Sequence, residues 1–194
     1  TYPYEVGDTK EVDMGDLGTH TIRVANTTTP TECLQKGFSQ TACGFVVEFV
    51  DIITTYNMDS KDTNVGGWPA SEMRKYIGGY KDTNGDIVEG TIYKVSPDDL
   101  KSVLKDTYVV SSHGSGDTGM REDGNFESTD KTYLLSGKEV YGSDTYDTSA
   151  DLTRQLDYYS GIEVTTSSYS GAIKKLDGTA IIWWLRSACS DRTN

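Results

Sequence analysis

The sequence predicts an α+β fold of short twisted antiparallel strands, about three helices and long loops. Three observations carry that expectation. Strand-like patterns fill the opening quarter of the chain, helix starts interleaved with short strands follow, and a last apolar run closes the order, which is not the regular alternation of a doubly wound sheet. Tyr is abundant at 13 residues and supplies much of the apolar area, in a chain that is only 35% apolar. Gly is frequent at 20 residues, and Thr, Ser and Asp crowd the connections, as in a loop-rich domain rather than a disordered chain. The 194 residues suggest one domain, 1–194, long enough to bury a sizeable core.

The first strand is expected within Tyr4 to Met14 and the second over Thr19–Asn26, where Ile and Val-type residues alternate with polar ones. Gly15-Asp16-Leu17-Gly18 makes the turn between them. Gly44 to Ile53 is the longest apolar run and reads as a buried central strand. A first helix opens at Trp68-Pro69, where proline's missing N–H costs nothing. It carries the stripe Ala70, Met73, Tyr76 and Ile77 and ends at Gly78-Gly79. A second opens at Ser96-Pro97-Asp98-Asp99, with Ser as cap, acids in its first turn and the stripe Leu100, Val103 and Leu104. A third opens at Thr148-Ser149-Ala150-Asp151, carries Leu152, Leu156 and Tyr159, and stops before Gly161. Asp82-Thr83-Asn84-Gly85-Asp86 holds an Asn-Gly hairpin turn. Thr107–Ser111 and Thr132–Leu135 are further strands, and Ser112 to Ser128 is a long polar loop.

The segment Ile181 to Ser187 is the most informative. Read as a strand, it sends the adjacent Trp183 and Trp184 to opposite faces, one into a core and one toward a second layer or a site. Arg186 then follows where strand meets loop, and its planar guanidinium is suited to clamp a carboxylate or backbone carbonyls.

The net charge of −12 makes nucleic acid and anionic membranes poor partners. No run is long enough to span a bilayer. Thr1-Tyr2-Pro3-Tyr4 lacks the basic and apolar regions of a signal peptide, so a removed signal or an upstream domain is expected before it. Of the three cysteines, Cys33 and Cys43 bracket a polar loop and are the candidate disulfide, which leaves Cys189 as the free thiol. No cysteine spacing resembles a zinc site. Asp82, Asn84 and Asp86 imitate a calcium loop, but Ile87 stands where Gly is required and Tyr93 where the bidentate Glu belongs. Acidic loops at Asp59 to Asn64 and Asp117 to Asp130 hold enough oxygens for calcium without defining a ligand set. No cofactor is assigned. His20 and His113 are the only histidines, and the neighbours Ser111-Ser112-His113 define no catalytic geometry. Trp68, Trp183, Trp184, Tyr158, Tyr159 and Tyr169 remain, as sugar-stacking or protein-contact aromatics or as core, with Trp68 placed in the structural group.

Four stretches together resemble a known family: Gly7–Asp13, Thr19–Asn26, Asn64–Ser71 and Trp183-Trp184-Leu185-Arg186-Ser187. The chain resembles domain of unknown function 6273, found in surface and secreted proteins of gut Firmicutes. The resemblance implies a C-type-lectin-like fold akin to formylglycine-generating-enzyme-type domains. It also implies a secreted or cell-surface, non-enzymatic display scaffold that binds a glycan or a host or bacterial surface protein. Trp184, Arg186, Ser187, Ser190 and Arg192 are then the candidate ligand-side residues, with Arg186 more a clamp than a contact. Family members continue past the Trp-Trp element into a variable stretch and a closing strand. The resemblance therefore implies that this chain lacks its closing strand and leaves a sheet edge near Tyr4 to Met14 open or filled by a second chain. The alternatives are a structural or assembly module of a larger surface protein and, with Cys189 as reactive thiol, an enzyme of the same fold class.

Overall fold

The computed structural model describes residues 3–61, 63, 65–112, 125–143 and 152–187. These residues form a mixed fold of short helices and antiparallel sheets.

Strand β1 (Thr9–Asp13) and strand β2 (Thr19–Asn26) form a hairpin around a 3-10 turn at Gly15–Leu17. The expected strand from Tyr4 begins only at Thr9, because Asp8 Oδ2 accepts the Glu5 N–H in a tight turn. Strand β3 (Val46–Phe49) pairs with β2, giving the order β1-β2-β3. The run Gly44 to Ile53 is therefore not the central strand. It contributes four residues at the edge, and β2 takes the centre. Burial follows position: from Ile22 to Asn26 every residue of β2 is buried, so the expected inside-outside alternation ends where both faces are covered.

The first predicted helix is two. Helix α1 (Gly67–Ala70) stops at Ser71, which turns extended and caps helix α2 (Glu72–Ile77) by accepting the Arg74 N–H with its hydroxyl. The Asn-Gly turn joins strands β4 (Tyr80–Lys81) and β5 (Ile87–Val88), with Asp82 Oδ1 accepting the N–H groups of Asn84 and Asp86. Helix α3 (Thr91–Val95) has no counterpart among the helices the sequence predicts, and Ser96 ends it by donating its hydroxyl to the Ile92 carbonyl. Ser96 is therefore not a cap for helix α4 (Asp98–Val103), whose stripe also fails: Val103 is exposed, and no residue of α4 is buried.

Strand β6 (Thr107–Ser111) lies where expected, and strand β7 (Phe126–Asp130) occupies the end of the segment read as loop. The sheet order is β5-β4-β7-β6. Thr132–Leu135 is not a strand; it crosses to helix α5 (Gly137–Tyr141) and hydrogen-bonds through side chain and carbonyls instead. The start of the third predicted helix lies outside the described residues. Its continuation 152–156 is not helical, and helix α6 (Asp157–Gly161) begins only where Asp157 accepts the Thr27 and Thr28 N–H groups and the Arg154 guanidinium. Burial opposes the Asp157 charge, yet these donors hold its carboxyl below the ordinary value. Strands β8 (Lys174–Leu176) and β9 (Thr179–Ile181) form a last hairpin.

Two apolar clusters make the core. One gathers Ala25, Val46, Val140, Leu156, Tyr159 and Val164; the other gathers Met14, Ile22, Trp68, Met73, Ile77 and Val109. β2 feeds both, through Ala25 and Ile22. Among the described residues no helix is long and apolar enough to cross a membrane.

Candidate functional site

The expected strand through the two tryptophans ends at Ile181, and residues 182–187 continue without sheet pairing. Neither indole is deeply buried; both are half-buried. Trp183 packs against the first core cluster and donates Nε1–H to the Ala172 carbonyl at 3.1 Å. Trp184 packs against the second and donates to the Tyr56 carbonyl at 3.1 Å. The opposed directions of neighbouring side chains persist, but the extended chain runs between two clusters instead of inside a sheet.

Arg186 is fully withdrawn from solvent. Its guanidinium forks onto Glu139, with Nη1 to Oε2 at 2.6 Å and Nη2 to Oε1 at 2.5 Å, and both side chains are 0% exposed. Nη1 also donates to the Leu134 carbonyl and Nη2 to the Thr41 hydroxyl. Glu139 closes a capping box with Ser136 at the start of α5, and the Thr41 and Thr153 hydroxyls donate to Oε1. Arg186 is thus an internal clamp. Ser187 accepts the Gly137 N–H. Ser190, Arg192, Cys189 and His113 lie outside the described residues.

Two further buried carboxylates are engaged in the same way. Glu48 sits across from Arg23 on the neighbouring strand and accepts from Arg23, Lys174 and the Tyr159 hydroxyl. Burial pushes the Lys174 ammonium below its ordinary value, against the pull of Glu48, and pushes the Tyr159 phenol up. Asp130 accepts from Arg74, from Ser128 and from the indole N–H of Trp68, which is 2% exposed. Trp68 is structural, as is Tyr159, while Tyr158 lies under the Arg23 guanidinium at 3.6 Å. Tyr169 is exposed. His20 is tied to the Leu17 carbonyl at 2.7 Å.

Cys33 and Cys43 are joined by a disulfide across a sequence separation of 10. The segment it closes sends Ser39 to the Val110 N–H of β6 and Thr41 to Glu139.

What Trp184 does hold is an open cleft of about 390 Å³ lined by Thr55, Tyr56, Asn57, Ser60 and Glu72. Tyr56 stacks on Tyr76 of α2 with ring centroids 3.9 Å apart and planes 8° from parallel. Tyr76 in turn rests on the second core cluster, with Met58 and Ile53 beside it in that cluster. Four main-chain ties fix the loop: Ile52 N–H to Lys175, Trp184 to Tyr56, Met73 N–H to Met58, and Glu72 N–H to the Asp59 carboxylate. The Ser60 hydroxyl donates to Glu72 Oε1 at 2.7 Å. Burial raises the Asp59 carboxyl above its ordinary value; the Glu72 N–H opposes this, and the Glu72 charge adds to it. The result is an aromatic platform with a polar rim, held in place from behind. Among the described residues no group of three His, Cys, Asp or Glu is placed to hold a metal ion.

Sequence reasoning missed the cleft and missed Glu139. The second had a signal, the S-x-x-E spacing of Ser136 and Glu139. The first had none, since Thr54-Thr55-Tyr56-Asn57 reads as an ordinary polar loop.

Residues 46–194 match the family described as Domain of unknown function (DUF6273). The match begins at β3, so the two N-terminal stretches of the resemblance lie outside it. No curated protein and no solved structure matches the chain.

Proposed function

The chain belongs to the family of domain of unknown function DUF6273, and we propose that it is a non-enzymatic, extracellular ligand-binding display domain with a C-type-lectin-like fold. The observation that carries the reading is the Tyr56 cleft. An exposed aromatic face stands on a second ring, and the loop bearing it is tied to α2, β8 and Trp184, so the surface needs little ordering on binding. The sequence element that gave the resemblance acts behind this surface: Trp184 props the loop, and Arg186 locks the chain that follows the indole.

Two observations support the rest. The Cys33–Cys43 disulfide suits an oxidising compartment such as the cell exterior. Glu48, Glu139 and Asp130 each spend their acceptor capacity on internal cations and donors, which suits architecture better than acid-base chemistry.

A glycan array together with a pull-down from host and bacterial surface proteins tests the proposal. Binding that is lost in Tyr56→Ala supports it. Blank results in both assays, with correctly folded protein, overturn it. A second reading, an assembly module, draws on a different feature: Ile182, beside the β9 edge, is 97% exposed.

A further inference from the structure

We propose that the Tyr56 cleft takes a neutral pyranose, stacked on Tyr56 and donating adjacent hydroxyls to Glu72, and that it discriminates against acidic sugars. The inference rests on the ligand-binding reading and names the ligand class.

The platform comes first. Tyr56 is 41% exposed, and one face is covered by Tyr76. Its other face carries the negative potential of an aromatic ring, which attracts the electropositive C–H groups on the flat side of a pyranose. The cleft is shallow and polar at its rim, which suits a ligand that is apolar on one face and hydroxylated around its edge.

The rim supplies the second half. Glu72 is the first residue of α2, and its Oε1 takes the Ser60 hydroxyl. A carboxylate offers about four acceptor positions, so capacity remains for sugar hydroxyls, which are donors. Charge-assisted hydrogen bonds of this kind are roughly twice as strong as neutral ones. Thr55 and Asn57 add groups that donate and accept.

Charge sets the selectivity. Asp59 lies close enough to Glu72 to sense its charge, and Lys75 is the cation it senses. Lys75 is exposed and solvated, whereas Glu72 faces the cleft. A sialic or uronic acid would bring a carboxylate against Glu72, within a chain of net charge −12. Like charges about 4 Å apart repel enough to weaken binding by roughly fivefold in water and by up to about a thousandfold near a protein surface.

Titration calorimetry with neutral gluco-, galacto- and manno-oligosaccharides, and with the same chains capped by sialic or uronic acid, tests this. At least one neutral chain is expected to bind. Tyr56→Ala should abolish binding, Tyr56→Phe should retain it because the stacking face is kept, and Glu72→Gln should weaken it about tenfold with melting temperature unchanged. Acid-capped chains should bind at least about fivefold more weakly. Equal or tighter binding of an acid-capped chain, still dependent on Tyr56, overturns this inference and leaves the ligand-binding reading standing. So does Tyr56-dependent capture of a protein when every oligosaccharide is silent. Binding that survives Tyr56→Ala overturns the site itself.

Discussion

Arg186 brings a full charge into a place where its side chain has no exposure, and it stays there because Glu139 meets it with two parallel hydrogen bonds. Such a pair is dangerous to break, because the partner left behind is a buried, uncompensated charge. Arg186→Ala is expected to cost about 3–5 kcal/mol, and the joint replacement Arg186→Met with Glu139→Leu should cost less than the single change. Urea unfolding of the three proteins measures this; a single variant as stable as the parent would remove Arg186 from the core. The clamp could be anticipated from an arginine that ends an apolar run. Its partner, 47 residues away, could not.

At the scale of elements, local signals are strongest where no distant contact competes. The Asn-Gly hairpin, β2 and β6 form where their turn chemistry and periodicity place them. The first predicted helix breaks in two because Ser71 turns extended and caps a new start, and the Arg74 side chain reaches from α2 to Asp130 and back to the Pro69 carbonyl. The disulfide acts on an element with little regular structure. It closes a segment whose Ser39 and Thr41 hydroxyls bond into the buried interior. Reduction is expected to cost about 2–4 kcal/mol, mainly by freeing the unfolded chain. Denaturation with and without reductant checks this, with the Cys33→Ser, Cys43→Ser double variant as the reduced reference. No change between the two conditions would contradict it.

Across the whole molecule, edges and charge work against each other. β1 presents Glu11 and Asp13 on an exposed outer strand, and such charges discourage pairing. The run from Thr179 to Leu185 holds no charged residue, and Ile182 within it is 97% exposed. Among the described residues β9 pairs only with β8. The net charge of −12 keeps copies apart at low salt, and at 1 M the screening length falls to about 3 Å. Self-association is therefore expected to rise with salt and to fall in Ile182→Lys. Sedimentation velocity at low and high salt measures both; association that is indifferent to Ile182 would place the contact elsewhere.

The sequence by itself determined the mixed helix-and-strand class, the position of β2 and β6, the hairpin at Asn84-Gly85 and a cysteine pair within bridging reach. Each of these is set by residues a few positions apart, through turn geometry, side-chain period or short-loop closure. Only the tertiary structure decided that β2 and not β3 is central, that Trp183 and Trp184 serve two different clusters, and that Tyr56 stands over Tyr76 with Trp184 behind it. Those outcomes depend on groups as far as 128 residues apart, whose meeting is fixed by how the layers pack and not by any local pattern.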